Sequence, residues 1–335
     1  MNDGVLVLTR EQVGSCLAGG QAEVLAAVRS AYEAHADGAT AVPLSSFLTV
    51  ATRPRDRIVG MPAYLRTDEE RAGMKWSSSF PGNAEAGKDR ASSVIALNSL
   101  ADGRVTALME ASAINLARTG ASAALAASTL HGEERLTAVG AIGCGPINLS
   151  IVRYLRAVYG EGWRLLVFDI VAERAHAFAA RVREFAPDAA VEAVGSAEAV
   201  LSAAPLVSIA TNTPAPHIES LAGCPRGATV LHMSVRDIAP DEIERHDNVV
   251  DDPDHVLRVN TSLHLLEQRH GRRDFIRTTL GDVVRGRQPA RRSADGVVVY
   301  SQFGLGILDI AVAAHVQAVA EKAGIGTRIP DFHVG

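Results

Sequence analysis

From Leu136 onward, short apolar runs alternate with helical stretches. The apolar runs predict strands at "LTAVGAIG", "RLLVFD", "AAVEAVG", "LVSIAT", "ATVLHMS" and "DNVVDD". Helices are predicted after the first two runs and shorter ones later. Because this alternation is typical of a parallel sheet with helices on both faces, residues 119–304 predict an α/β domain of the Rossmann type, with a doubly wound parallel sheet.

Residues 1–118 follow a different pattern. A short strand, "VLVLT", precedes two helical stretches. Thr9 and Gln12 form a capping-box pattern at the start of the first, and the second ends at Gly38. Between about residues 42 and 106, short apolar runs are broken by Pro, Gly and Asp-Gly, which indicates an antiparallel or mixed sheet. This part therefore predicts an α+β domain.

Two longer helices are predicted where the chain passes between the two domains. The alanine-rich segment "SAINLARTGASAALAASTLHG" predicts one helix that leads into the second domain. The final run, "FGLGILDIAVAAHVQAVAEKAG", predicts a long apolar helix that the second domain does not need to close its sheet. We expect it to return to the first domain, which residues 305–335 would then complete.

Composition and charge limit the partners, the location and the kinds of site that are expected for this protein. The chain has 335 residues, a hydrophobic content of 47% and a formal net charge of -5, which gives no electrostatic footprint for nucleic acid. It shows neither a signal-peptide pattern nor an apolar run of about 18 residues, so we expect a cytoplasmic protein without a membrane partner. Cys16, Cys144 and Cys224 form no CxxC pair, and the histidines show no ligand spacing, so no disulfide framework and no metal are expected.

The segment "LTAVGAIGCGPINLS" resembles a strand, a glycine-rich turn and a helix. Gly143 and Gly145 match the first two glycines of a dinucleotide fingerprint, which allow the tight turn and the approach of the pyrophosphate. Asn148 replaces the third, whose role is mainly close packing, and Pro146 suits the first helical position. Glycine pairs occur in many turns, but Asp169 at the end of "RLLVFD" lies where a carboxylate would accept the ribose hydroxyls.

These residues predict a dinucleotide cofactor. The charge of Asp169 would repel a 2′-phosphate, which favours NAD over NADP, while the nearby Arg174 leaves NADP open. Ile147 at the helix start joins the expected cofactor contacts. So do Thr211 and Asn212 in "SIATNTP", which follow the fourth strand at the edge where doubly wound folds bind cofactors.

The first domain contains a second set of candidates. Lys75 lies on a predicted strand in "MKWSSSFPGN", and it is either a buried lysine or one at a surface edge. Arg118 in "NLARTGASAAL" either holds a carboxylate or lies on a helix surface. Asp309 in "FGLGILDIAV" is flanked by aliphatic residues, as in a paired structural charge or a tuned acid/base. Trp76 and Phe80 are expected to pack beneath the pocket.

The combination "KWSSSFPGN", "ARTGASAAL", "GAIGCGPIN", "VFD" and "FGLGILD" resembles the ornithine cyclodeaminase and μ-crystallin family across essentially the whole chain. This resemblance implies an N-terminal substrate and dimerisation domain completed by the C-terminal helix, an NAD(P)-binding Rossmann domain and a homodimer.

Five segments are similar to one branch of that family: "RASSVIALN", "LHMSVRDIAP", "VVDDPDHVLRVNTSLHLLEQ", "GRRDFI" and "SQFGLGILDIAVA". This branch comprises the dehydrogenases of 2,3-diaminopropionate biosynthesis in siderophore and peptide-antibiotic pathways. The branch implies NAD-dependent oxidation of N-[(2S)-2-amino-2-carboxyethyl]-L-glutamate, with cleavage of the imine by water into 2-oxoglutarate and L-2,3-diaminopropionate. It also implies an upstream PLP-dependent synthase as the pathway partner.

The resemblance assigns roles to three residues. Lys75 and Arg118 match the family's ligands for the substrate carboxylate, and Asp309 matches its acidic catalytic residue. On this basis Asp309 is the expected general base that activates water, and Lys75 is the second expected catalytic residue.

A substrate with three carboxylates requires further cations. Arg90 in "KDRASSV" and Arg236 in "SVRDIAP" are the additional candidates, although each is equally compatible with a solvated or ion-paired arginine. Ser92 and Ser93 are expected to line the same pocket.

One segment departs from the family pattern. Many members have an arginine after the proline that opens the sheet, whereas "VPLSSF" has Leu44 and Ser45 there. A carboxylate contact is therefore either missing or supplied elsewhere, and Arg53, Arg55 and Arg57 are the candidates for supplying it. This departure weakens ornithine as the substrate.

Two other functions remain open. A redox-neutral cyclodeaminase would release ammonia from ornithine without net formation of NADH. A binding protein similar to the μ-crystallins would keep the cofactor fold and hold a small ligand, although the presence of Lys75, Arg118 and Asp309 argues against it.

Overall fold

The computed structural model describes residues 4–84, 86–132 and 136–333. The chain divides into two compact units. One comprises Met1–Arg118 together with Leu305–Gly335, and the other comprises Thr119–Gly304.

The first stretch of the first unit contains two helices before its main strands. Its elements are β1 (Val5–Leu8), α1 (Arg10–Leu17), α2 (Gln21–Ala36), β2 (Thr40–Ala41), β3 (Ser46–Val50), β4 (Arg53–Arg66), β5 (Glu70–Ser79), a 3-10 helix (Pro81–Ala84), β6 (Ala91–Asn98) and β7 (Val105–Glu110). The division between the units falls within α3 (Ser112–Leu130).

The second unit alternates strands and helices as predicted. Its elements are β8 (Ala138–Ile142), α4 (Pro146–Tyr159), β9 (Arg164–Phe168), α5 (Ala172–Phe185), β10 (Ala190–Ala193), α6 (Ala197–Ala203), β11 (Leu206–Ile209), β12 (Thr229–His232), α7 (Pro240–Ile243), β13 (Asp247–Val250), α8 (Pro253–Val256), α9 (Ser262–His270), β14 (Ile276–Thr279), α10 (Leu280–Val284) and β15 (Val298–Ser301). Two further elements follow and belong to the first unit: α11 (Gly306–Ala323) and β16 (Thr327–Ile329).

The sheet of the second unit has the order β10-β9-β8-β11-β12-β15-β13-β14, and its strand pairs are parallel. The chain moves outward from β8 to β10 and then returns to the other side of β8, so the direction of winding reverses between β8 and β11. This confirms the doubly wound α/β fold. The sequence pattern did not identify β14 or β15. Strand β15 enters the sheet out of chain order, between β12 and β13, a pairing that local patterns do not indicate.

The sheet of the first unit is mixed, as predicted. Its order is β16-β1-β7-β6-β5-β4-β2, with β3 also paired to β4. Its pairs are antiparallel apart from β1 with β7. Helix α11 packs against β4, β5, β6 and α2, and so forms part of the core of this unit.

The capping box predicted at the start of α1 is confirmed. Thr9 Oγ1 accepts a hydrogen bond from the backbone N–H of Gln12, and the Gln12 side chain accepts one from the backbone N–H of Thr9. No helix in the described parts of the chain has the length and apolar character needed to span a bilayer.

The two faces of the first sheet differ, because successive residues of a strand point to opposite sides. On β5, Lys75 points to the face that α11 covers, whereas Trp76 points to the other face and is 41% exposed. The prediction that Trp76 packs beneath the pocket is therefore wrong. Trp76 lies on the face of the sheet opposite to that of Lys75. It pairs with Gly60 of β4, and its ring lies over that glycine.

Candidate functional site

Lys75, Arg118 and Asp309 form a buried charged triad in the first unit. Lys75 Nζ donates to Asp309 Oδ2 at 2.6 Å, and Arg118 Nε donates to Asp309 Oδ1 at 3.2 Å. Asn115 Oδ1 accepts from Lys75 Nζ at 3.2 Å and from Arg118 Nη2 at 2.7 Å. Strand β5, helix α3 and helix α11 each contribute to this arrangement, so residues far apart in sequence converge on one point.

The burial of Lys75 and of Arg118 decides between the two positions that the sequence left open for each side chain. Lys75 and Arg118 are buried, which makes the surface-edge lysine and the helix-surface arginine wrong. Asp309 is fully enclosed, and both of its carboxylate oxygens accept hydrogen bonds from cations.

The triad has two cations and one carboxylate. A buried charge without a partner is costly, so the excess positive charge favours a bound anion such as a carboxylate. Burial lowers the pKa of Lys75 to about 8, since removal from water disfavours the charged ammonium and Asp309 only partly offsets this effect. Lys75 can therefore exchange a proton close to neutral pH.

The two serines of β6 point in opposite directions. Ser93 pairs with Ser77 of β5, which shares the face of Lys75. Ser92 lies on the other face, where its hydroxyl shares a hydrogen bond of 2.7 Å with that of Ser78. The prediction that Ser92 and Ser93 line the same pocket is wrong, because adjacent strand residues cannot share a face, and only Ser93 lies on the side of the triad.

The two additional arginines belong to different units. Arg90 immediately precedes β6 and its backbone carbonyl accepts a hydrogen bond from Phe80 N–H at 2.8 Å. Arg236 lies in the second unit, where its Nη2 donates to the backbone carbonyl of Val259 at 2.9 Å. Substrate contacts by Arg90 and Arg236 stay predictions.

The glycine-rich turn lies at the carboxyl end of β8. Gly143 has φ +88°, and a Cβ there would lie 2.4 Å from the carbonyl oxygen of Ala210, so the fold itself requires glycine. At Gly145 a Cβ would meet nothing within 4 Å. The fold does not require glycine at Gly145, whereas a ligand that approaches the backbone closely would.

Helix α4 begins at this turn. Its first backbone bond runs from Leu149 N–H to Gly145 O, so the N–H groups of Ile147 and Asn148 precede the helical ladder, and Pro146 at the first position has none. Backbone N–H groups at a helix start, beside an open space, are suited to a phosphate group. The residues present thus fit a dinucleotide.

Asn148 has a structural role that the sequence did not suggest. Its side chain is fully buried, donates to the carbonyls of Ile142 at 3.0 Å and Gly143 at 2.7 Å, and accepts from Ser208 Oγ at 2.7 Å. It therefore fixes the turn, and a cofactor contact through its side chain is excluded. Its backbone N–H remains the predicted contact.

Asp169 lies directly after β9 and bridges two backbone groups. Its Oδ2 accepts from Cys144 N–H at 2.9 Å, and its Oδ1 accepts from Val171 N–H at 3.0 Å. These bonds hold the carboxylate beside the glycine-rich turn. The next residue, Ile170, is 89% exposed and offers apolar surface beside it.

The carboxyl end of β11 carries a polar network centred on Asp237, which the sequence analysis missed. Asp237 accepts hydrogen bonds from Thr211 Oγ1 and Ser234 Oγ, and His217 Nε2 lies 3.2 Å from its Oδ1. Burial acts to raise the pKa of Asp237, but the hydrogen bonds hold it well below its usual range. The Asp237 carboxylate in turn raises the pKa of His217.

This network positions one of the predicted cofactor residues. The backbone N–H of Thr211 donates to Ser234 Oγ at 3.1 Å, whereas the adjacent Asn212 is exposed. The signal for the network was the cluster of Ser and Asp in "MSVRDIAP" after the fifth strand, which resembles an ordinary loop when its spatial partners are unknown.

The model of the ornithine cyclodeaminase/mu-crystallin family matches residues 5–324. The N-((2S)-2-amino-2-carboxyethyl)-L-glutamate dehydrogenase of Staphylococcus aureus (strain NCTC 8325 / PS 47) is 28% identical over 98% of this chain and 99% of its own length.

Two solved structures share the fold over nearly the whole chain. The Thermococcus litoralis Delta(1)-pyrroline-2-carboxylate reductase in complex with NADH and L-proline has a TM-score of 0.89 at 23% identity, covering 97% of this chain and 100% of that one. An archaeal alanine dehydrogenase dimer with bound NAD has a TM-score of 0.87 at 24% identity, covering 98% and 99%.

Proposed function

The chain belongs to the ornithine cyclodeaminase/mu-crystallin family, and from this premise we propose that it is an NAD-dependent oxidoreductase that oxidises an amino-acid C–N bond. We further propose that its substrate is N-[(2S)-2-amino-2-carboxyethyl]-L-glutamate. The observation that carries the proposal is the buried triad with its excess positive charge, which suits a substrate carboxylate. The dehydrogenase from Staphylococcus aureus, similar along the full length, supports the choice of substrate.

The glycine-rich turn supports NAD as the cofactor. The open space at Gly145 and the N–H groups at the start of α4 would hold the pyrophosphate, and Asp169 would accept the ribose hydroxyls. The exposed side chain of Ile170 would cover the adenine. Bound NAD supplies the two-electron acceptor that amine oxidation requires.

The three residues of the triad have different roles in substrate binding and proton transfer. Lys75 and Arg118 hold a substrate carboxylate through N–H groups that their bonds to Asp309 and Asn115 leave available. Asp309 acts as a positioning residue that fixes both cations, since its two oxygens are enclosed and occupied. This assignment replaces Asp309 as the base that contacts water. Lys75, with its pKa lowered to about 8, acts in its ammonium form and is the group of the triad that can donate a proton and recover it.

The overall reaction balances with one water. The secondary amine loses a hydride from carbon and a proton from nitrogen, the resulting imine adds water, and the carbinolamine breaks its C–N bond. The products are 2-oxoglutarate, L-2,3-diaminopropionate, NADH and one proton. An upstream PLP-dependent synthase that joins glutamate to a serine derivative would supply the substrate.

The exposed face of the first sheet supports a homodimer. Large apolar side chains on this face are 40–50% exposed: Leu48, Met74, Trp76 and Val94. They lie on the same face of β3, β5 and β6, with β4 between β3 and β5, and exposed apolar patches mark protein interfaces. The apolar face would be covered by a second copy of the chain.

The direct test is to mix the purified protein with NAD and N-[(2S)-2-amino-2-carboxyethyl]-L-glutamate, follow NADH by absorbance and identify the products by mass spectrometry. We expect NADH, 2-oxoglutarate and 2,3-diaminopropionate in equal amounts. Ornithine and alanine serve as parallel substrates. Proline and ammonia from ornithine without NADH would instead identify a cyclodeaminase.

A further inference from the structure

The face of the first sheet that carries Lys75 changes character along the strands. On β4, Leu65 and Ala63 are buried against the core, Val59 is half-buried and Arg57 is exposed. On β5, Lys75 is followed on the same face by Ser77 and Ser79. The apolar core therefore gives way at Lys75 to a polar surface that continues toward the ends of the strands.

Two arginines lie at the end of this polar surface. Arg57 pairs with Ser79, and Ser79 pairs with Ala91, the residue after Arg90. Arg90 precedes β6 at the end of the sheet where Arg57 lies, and the two guanidinium groups are close enough for the charge of Arg57 to act on the pKa of Arg90. Ser79 lies four positions after Lys75, which corresponds to about 13 Å along the strand.

Within the described parts of the chain, no acidic side chain pairs with either arginine. Asp89, the neighbour of Arg90, pairs with Arg10 instead. Partial burial, together with the charge of Arg57, lowers the pKa of Arg90, as expected for two neighbouring cations without a counter-ion. Like charges that converge in this way favour a bound anion, and guanidinium groups match carboxylates through two parallel hydrogen bonds.

We propose that Arg57 and Arg90 form a second carboxylate subsite, which selects substrates with a distal carboxylate at the end of the polar row that starts at Lys75. This inference rests on the proposed function and deepens it, because it makes the enzyme selective for dicarboxylic amino acids over alanine-like substrates.

The test compares two 2-oxo acids that differ in the distal carboxylate. Binding of 2-oxoglutarate and of 2-oxobutyrate to the NADH-loaded protein is measured by isothermal titration calorimetry for the wild type and for Arg57→Gln, Arg90→Gln and Arg66→Gln. Arg66→Gln is the matched control, since Arg66 lies on the same strand β4, on the opposite face and at its other end. Melting temperatures establish that each variant is folded.

We expect the wild type to prefer 2-oxoglutarate, and Arg57→Gln and Arg90→Gln each to weaken 2-oxoglutarate about 10- to 100-fold while leaving 2-oxobutyrate unchanged. Arg66→Gln should preserve the preference. A wild type without the preference, or variants that retain it, would overturn the subsite.

The same titrations separate this inference from the proposed reaction. If the protein forms no NADH from N-[(2S)-2-amino-2-carboxyethyl]-L-glutamate but the preference depends on Arg57 and Arg90, the reaction is wrong and the subsite stands. If NADH forms and the preference survives both substitutions, the reaction stands and the subsite is wrong.

Discussion

Lys75 Nζ donates a 2.6 Å hydrogen bond to Asp309 Oδ2, a contact between residues 234 positions apart. Both side chains are buried, and Arg118 binds the other oxygen of the same carboxylate. The C-terminal helix α11 therefore supplies the anion that allows two cations to exist inside the first unit. A buried cation is tolerated because it is paired, so Asp309 determines how much positive charge the site presents.

Asp309→Asn should separate positioning from binding of the cofactor. The amide keeps the shape but removes the negative charge, so we expect a loss of about 3–5 kcal/mol in the free energy of unfolding. The value of kcat/KM should fall by about 100-fold or more, because Lys75 and Arg118 lose their common partner. The affinity for NADH, measured by fluorescence titration, should stay within about threefold, because the glycine-rich turn lies in the other unit. Turnover that survived the substitution largely intact would contradict any essential role of Asp309.

The depressed pKa of Lys75 predicts how substrate affinity varies with pH. Below about pH 8 the ammonium is charged and attracts the substrate carboxylate, and above this value the neutral amine does not. We therefore expect kcat/KM to decrease as the pH rises through 8, with the midpoint at a lower pH in Asp309→Asn, since Asp309 stabilises the charged form. The profile of kcat/KM from pH 6 to 10 measures this. In Lys75→Arg the decrease near pH 8 should vanish, and a wild-type profile that is flat over this range would contradict the assignment.

Sequence patterns identified much of the fold because the relevant signals are local. Thr9 and Gln12 lie within one helical turn of each other, so the capping box is visible without tertiary structure. The alternation of strands and helices likewise shows the parallel sheet. Strand β15 was missed because its position between β12 and β13 depends on long-range pairing, which the letters "VVVYS" do not encode.

The candidate site was less predictable, because function depends on the side to which a residue points. The sequence placed Ser92 and Ser93 together, and only the register with β5 shows that they diverge. Asn148 could be interpreted as a substitute for glycine, yet its three hydrogen bonds show that it holds the turn through contacts up to 60 residues away. Such roles depend on partners that are distant in the sequence.

Substitution by alanine should affect stability at Gly143 and NADH binding at Gly145. In Gly145→Ala the added methyl meets nothing in the protein, so the melting temperature should stay within about 2 °C while the Kd for NADH rises about tenfold or more. In Gly143→Ala the methyl meets the Ala210 carbonyl at 2.4 Å and the backbone has φ +88°, so the melting temperature should fall by several degrees. Unchanged NADH binding in Gly145→Ala would show that the open space does not hold the cofactor.

Asp169 should determine the preference between NAD and NADP. Its carboxylate lies beside the turn, where it would repel a 2′-phosphate, so Asp169→Ser should lower the ratio of NAD to NADP efficiency by about 10-fold or more. Steady-state kinetics with both cofactors measures the ratio. Glu173→Ser is the control, because it removes a nearby carboxylate from the first turn of α5 but leaves the hydrogen bond to Cys144. An equal effect of both substitutions would attribute the preference to overall charge rather than to Asp169.

The apolar face of the first sheet predicts that a single charge disrupts assembly. Val94 is 48% exposed and pairs with Trp76 in the patch, whereas Leu100 is 50% exposed on the turn after β6. Val94→Asp should convert a dimer of 35.3 kDa chains to monomers in light scattering, because an unpaired carboxylate cannot be buried in an apolar interface. Leu100→Asp, with the same substitution at equal exposure, should remain dimeric. If the wild type were already monomeric, or if Leu100→Asp dissociated it equally well, the face that carries Trp76 would not be the dimer interface.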